Sequence, residues 1–116
     1  MERSNMPKIV NPSDMASHQS GDGWKIITLA DASHIGEAVM VARHWYLDPG
    51  TTGPLEVHGN AEQLLYVIKG GGIAIVGEKR LPLERETVLW LEPGDRYQFE
   101  AHGDGLEILQ GFTPGE

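Results

Sequence analysis

Short apolar runs alternate with turn-forming residues along most of this chain. Trp24–Leu29, Glu37–Leu47, Gln63–Lys69, Ile73–Val76, Arg80–Leu83, Thr87–Leu91, Tyr97–Ala101 and Leu106–Phe112 are short, and most are rich in β-branched or aromatic residues. Such segments predict strands. Between them stand Asp48-Pro-Gly50, Gly70-Gly-Gly72, Gly77-Glu-Lys79, Pro93-Gly94-Asp95 and His102–Gly105, and each predicts a turn. No long segment repeats its apolar positions at the 3.6-residue helical period. Residues 1–22 are polar and carry Pro7, Pro12 and Gly21, which predicts a flexible N-terminal arm with one short ordered piece. Residues 23–116 are expected to form one domain. Eight short strands punctuated in this way predict an all-β sandwich or barrel. A nearly closed barrel hides its strand edges and encloses a pocket.

Composition narrows the choice of function. The formal net charge of −8 repels phosphate backbones, so nucleic acid is not expected as a partner. The chain has no cysteine, which excludes disulfides and thiolate ligands. No apolar run has the roughly 18 residues of a membrane helix, and no signal-type stretch is visible, so a cytoplasmic protein off the membrane is expected. No serine sits in a GXSXG elbow, and the Gly70–Gly72 run lacks the lysine and helix of a phosphate loop.

The chemistry concentrates in GTTGPLEVHGNAEQLLYVIKG, residues 50–70. Gly50 is followed by five residues, then Glu56, Val57 and His58; four residues separate His58 from Gln63, and six separate Gln63 from Gly70. This spacing resembles the first motif of the cupins, G(X)5HXH(X)3,4E(X)6G. Glu56 stands where that motif has its first histidine, and Gln63 where it has its glutamate. His58 alone keeps the family identity. A fainter second match runs from Glu86 through Glu92-Pro-Gly94 to Tyr97 and Ala101, along G(X)5PXG(X)2H(X)3N. Tyr97 falls at the final histidine ligand, Ala101 at the asparagine and Glu86 at the leading glycine.

The resemblance covers about residues 37–112 and implies a double-stranded β-helix, the jelly-roll cupin barrel. It also implies a homodimer, since small cupins commonly pair through their sheets. It implies a divalent metal held by Glu56, His58, Gln63 and Tyr97, with Zn, Mn, Fe or Ni as candidates. Glu56 and Tyr97 would then be the catalytic residues, and isomerase, lyase or dioxygenase chemistry would follow. The residues themselves leave a second reading open. Glu56 and His58 share one strand face, and with Gln63 and Tyr97 they can form a hydrogen-bonded polar pocket that binds a small molecule without metal or catalysis. In that pocket Glu56 becomes a general base if burial raises its pKa. Glu62, one residue earlier than Gln63, is an alternative ligand that misses the glycine spacing by one.

Alternation places Arg43 and Trp45 on one strand face, and His44 and Tyr46 on the other. An inward His44 would supplement the site, and an inward Arg43 would grip a substrate carboxylate. Trp90 and Phe99 read either as pocket lining or as core. His102 reads as a solvated loop residue, and His18 and His34 receive no role.

Overall fold

A computed structural model describes residues 9, 18–30 and 40–113. Within them the chain forms seven strands: β1 (His18–Gly21), β2 (Trp24–Ala30), β3 (Val41–Leu47), β4 (Gln63–Val76), β5 (Lys79–Leu83), β6 (Val88–Leu91) and β7 (Tyr97–Phe112). All pairings are antiparallel, and the order is β1-β2-β3-β7-β4-β5, with β6 also on β4. The short ordered piece expected within residues 1–22 is β1, hydrogen-bonded to β2. The start of the expected strand at residues 37–39 and His34 lie outside the described residues.

The two long strands build the barrel. The first half of β4, from Gln63, pairs with β6 and with the end of β7. Its second half, to Val76, pairs with β5 and with the start of β7. Thr52 and Glu56 bridge to Glu100 and Tyr97 and extend this second sheet along β7. One strand pair thus serves two sheets, and the apolar core lies between them. Leu65, Val67, Ala74, Phe99, Ile108 and Trp45 are each at most 1% exposed. Burying a side chain of this kind contributes about 1.5–3 kcal/mol. The Trp45 ring meets Phe99 edge-on at 5.0 Å.

The expected turns at Gly70–Gly72 and His102–Gly105 are not turns. They are irregularities inside continuous strands, and the β4–β7 register shifts at Val67/Lys69 and Gly70/Gly72. The shift has a visible consequence. Buried positions of β4 are Gln63, Leu65 and Val67 before it, but Gly72 and Ala74 after it. In β7 they are Tyr97, Phe99 and Ala101 before, and Leu106, Ile108, Gln110 and Phe112 after. Ile68 is an extra residue on β4, and residues 102–105 of β7 lie opposite Gly71 alone, so the side-chain alternation inverts in both strands and both halves face the same interior. The backbones cross closely there: a Cβ on Gly70 would lie 1.9 Å from the Gly105 carbonyl oxygen, and one on Gly72 2.0 Å from that of Glu100.

Candidate functional site

Strand alternation decides which side chains enter the barrel. On β3, Arg43, Trp45 and Leu47 are buried, while His44 and Tyr46 are only partly so. His44 therefore lies on the outer face, where it stacks on Tyr46 at 4.0 Å and bonds Glu107 at 3.1 Å. The same parity turns Gln110 inward beside Ile108 and Leu106 on β7. Gln63 opens β4 at an inward position, whereas the neighbouring Glu62 is exposed. The Glu92-Pro-Gly-Asp95 turn, closed by Asp95 N donating to Glu92 O at 3.1 Å, sets Tyr97 at the head of β7. The segment carrying Glu56 and His58 is held to Tyr97 by two backbone hydrogen bonds of 2.9 Å between Glu56 and Tyr97.

These placements bring four of the named residues into one polar cluster, but its centre is a residue outside the motif. Arg43 Nη2 donates to Glu56 Oε1 at 2.5 Å and lies 3.3 Å from His58 Nε2 and 3.4 Å from the Tyr97 hydroxyl. Glu56 Oε1 is also 2.9 Å from His58 Nε2 and accepts the Tyr97 O–H at 3.1 Å. The Glu56 carboxylate only accepts and the Arg43 guanidinium only donates, so the two make opposite demands on the same His58 Nε2. The guanidinium lies 5.3 Å from the Trp45 ring and 5.7 Å from that of Phe112, and the His58 ring lies 4.5 Å from Phe112.

Gln110 ties the cluster to the core. Its Oε1 accepts from Arg43 Nε at 2.8 Å and Trp45 Nε1 at 2.7 Å. Both are obligate donors, which fixes the amide orientation. Its Nε2 therefore donates, to Gln63 Oε1 at 2.5 Å and to the Tyr97 oxygen at 2.7 Å. All four hydrogen-bonding positions are used, and the residue is 2% exposed. No catalytic motif contains Gln110. Its one signal in the sequence is a polar residue at the parity of Leu106 and Ile108, where an unpaired amide would be costly.

The electrostatics follow from this wiring. Burial alone would raise the Glu56 carboxyl. The hydrogen bonds and charges of His58 and Arg43 outweigh it and lower the pKa to about 2. The raised pKa that a Glu56 general base requires is thus absent. For Tyr97, burial and then the Glu56 carboxylate push the phenol well above its ordinary range, so it stays neutral.

This donor set does not fit a divalent cation. The permanently charged guanidinium sits among Glu56, His58 and Tyr97. A second charge of +2 at about 4 Å from it would be opposed by roughly 8 kcal/mol at an effective dielectric constant of about 20. Glu56 Oε1 is already taken by three partners, Gln63 Oε1 is committed to Gln110, and the Tyr97 phenol resists deprotonation. Among the described residues no three His, Asp or Glu side chains converge on one point.

Other expectations resolve simply. Phe99 is core, fully buried. Trp90 is not core but 55% exposed on the outer face, in a shallow groove of about 550 Å³ with Met40, Leu64, Phe112 and Glu62. His102 is exposed as expected, within β7 rather than a loop, and pairs with Glu100 at 3.0 Å.

A two-sheet antiparallel barrel with its polar cluster inside defines a jelly-roll protein of the cupin type. The model of the cupin domain matches residues 43–109, more than half of the chain, and the chain belongs to that family. Among curated proteins it is 28% identical over 97 residues to the tetracenomycin polyketide synthase protein TcmJ of Streptomyces glaucescens, covering 84% of this chain and 64% of the relative. The chain therefore spans less than two thirds of that protein's length. Among solved structures it resembles KdgF from Halomonas sp., with a TM-score of 0.75 and 14% identity over 96% of each chain. It also resembles a predicted oxalate decarboxylase from Thermotoga maritima, with a TM-score of 0.73 and 18% identity over 93% of this chain and all of the other. At these identities the structural likeness speaks for the fold.

Proposed function

We propose that this cupin binds a small polar molecule in a pocket that works without a metal ion. One observation carries the reading: the Arg43 guanidinium, 2.5 Å from Glu56 Oε1, supplies the positive charge among the residues at the motif's ligand positions. Arg43 is buried and cannot lose its charge, so it is a permanent part of the site. Glu56 then serves as the counter-charge that orients Arg43, and Tyr97 as a neutral hydrogen-bonding bridge. The imidazole of His58, the more exposed side chain of its pair with Glu56, is the group placed to give or take a proton from a bound molecule.

The test is metal analysis by ICP-MS on tag-free protein purified without chelator, before and after incubation with Mn²⁺, Fe²⁺, Ni²⁺ and Zn²⁺. The expected result is far less than one metal per chain in every case. About one metal per chain, lost in His58→Ala, would overturn the proposal and restore the metal-dependent isomerase, lyase or dioxygenase reading.

A further inference from the structure

The outer face of the β6-β4-β7-β3 sheet carries a pattern of its own. The strand registers align its outward side chains in two neighbouring rows. One row reads Trp90, Leu64, Gly111, Ala42, and the next reads Val88, Tyr66, Leu109, His44. None of these positions holds Asp, Glu, Lys or Arg. The five large apolar side chains among them, Trp90, Val88, Leu64, Tyr66 and Leu109, are between 38% and 56% exposed. They are contiguous, because each is the register partner of another or stands two residues from it on the same strand. Soluble monomers rarely leave so many large apolar side chains together in water.

The order of sizes within the rows points to what covers them. A two-fold axis that lies against the sheet and crosses the strands between the two rows lays this face on a second copy of itself. The strands then stack antiparallel and the rows exchange places. Large side chains meet smaller ones throughout. Trp90 faces the partner's Val88, Tyr66 the partner's Leu64, Leu109 the partner's Gly111 and His44 the partner's Ala42. Facing large and small positions interdigitate, as in a packed core. Gly111 lines the groove of about 550 Å³ together with Trp90 and Met40. The groove is the slot into which the partner's Leu109 would pack.

Charge selects this axis over one running along the strands. Glu62 and Lys69 are both exposed and stand beyond opposite ends of the two rows. Counted on β7, they are equally far from the midpoint between the rows, which falls at Gln110. Lys69 pairs with Glu107, three positions before Gln110; Gln63 pairs with Phe112, two positions after it, and Glu62 stands one residue further out. Exchanging the rows therefore brings Glu62 to the partner's Lys69, twice in each pair. An axis along the strands would instead set Glu62 level with Glu62 and Lys69 level with Lys69, where like charges oppose each other.

We propose that two copies of this chain pair through the outer β6-β4-β7-β3 face, antiparallel across β4, with Trp90 packed on the partner's Val88 and Glu62 beside the partner's Lys69.

Sedimentation equilibrium of the full chain over a concentration series tests this, with circular dichroism as the check on folding. The natural protein is expected to have the mass of two chains. Trp90→Glu changes a side chain outside the core and should weaken the pair at least about tenfold while the spectrum is kept. Glu62→Lys and Lys69→Glu should each weaken it by about threefold, and the two together should restore it. A natural protein that stays monomeric at every concentration overturns the proposal, whether the face is then open or covered by another segment of the chain. So does a pair that survives Trp90→Glu unchanged, or a double charge reversal that recovers nothing.

Discussion

Arg43 and Glu56, thirteen residues apart, meet inside the barrel with Nη2 2.5 Å from Oε1, and this ion pair sits among the motif's ligand positions. Strand β3 brings the arginine inward, and the bridge to β7 brings the glutamate to it. Everything else in the cluster is arranged around the pair.

Removing the cation should uncover what it displaces. In Arg43→Ala the Glu56 carboxylate and His58 Nε2 lose their positive neighbour. Breaking a buried pair at one end costs about 3 kcal/mol, so the melting temperature should fall. Divalent Zn²⁺ or Ni²⁺ should then raise the variant's melting temperature while leaving the natural protein unchanged. Thermal scans with and without metal read this directly, and equal responses in both proteins would contradict the role given to Arg43.

The lowered Glu56 pKa predicts an acid-labile fold. The folded value is about 2 against an ordinary 4.5, so the unfolded chain binds the proton more readily. The stabilisation is present in full above about pH 5 and is lost as pH falls towards 2. It amounts to about 2–3 kcal/mol at neutral pH. Denaturation curves from pH 7 down to pH 3 should show the decline, and Glu56→Gln should flatten it while lowering stability at neutral pH.

Gln110→Leu should be one of the costliest single changes in the site. It leaves Trp45 Nε1, on a fully buried ring, and Arg43 Nε without acceptors. The expected loss is about 2–4 kcal/mol in urea denaturation. A loss below about 1 kcal/mol would mean that water replaces the amide freely.

Backbone geometry sets three further tests. Gly72→Ala places a Cβ against the Glu100 carbonyl and should destabilise the protein by several kcal/mol or prevent folding. Gly77→Ala, at a hairpin where the Cβ meets nothing within 4 Å, should cost only about 1 kcal/mol from its positive φ. Conversely, Glu86 holds a left-handed φ of 71° at the motif's leading-glycine position. Glu86→Gly relieves that strain and should stabilise by up to about 1 kcal/mol.

The strand segments and the motif spacing were legible because both are local. Alternation along β3 already grouped Arg43 with Trp45, and the glycine spacing already preferred Gln63 to Glu62. The continuity of β4 and β7 was not legible. A Gly-Gly-Gly run reads as a turn, and only the partner backbones 1.9 and 2.0 Å from the missing Cβ atoms show that glycine serves a crossing there. Gln110 was missed because its role depends on donors from residues 65 and 67 positions away in the chain.

By itself, then, the sequence determined the all-β class, because periodicity acts over a few residues, while the resemblance of its motif spacing to the cupins implied the barrel and a site at Glu56, His58, Gln63 and Tyr97. The tertiary structure alone decided that the cation at their centre is Arg43. That choice depends on which face of β3 turns inward and on the charge it finds there, and both are set by packing across strands far apart in the chain.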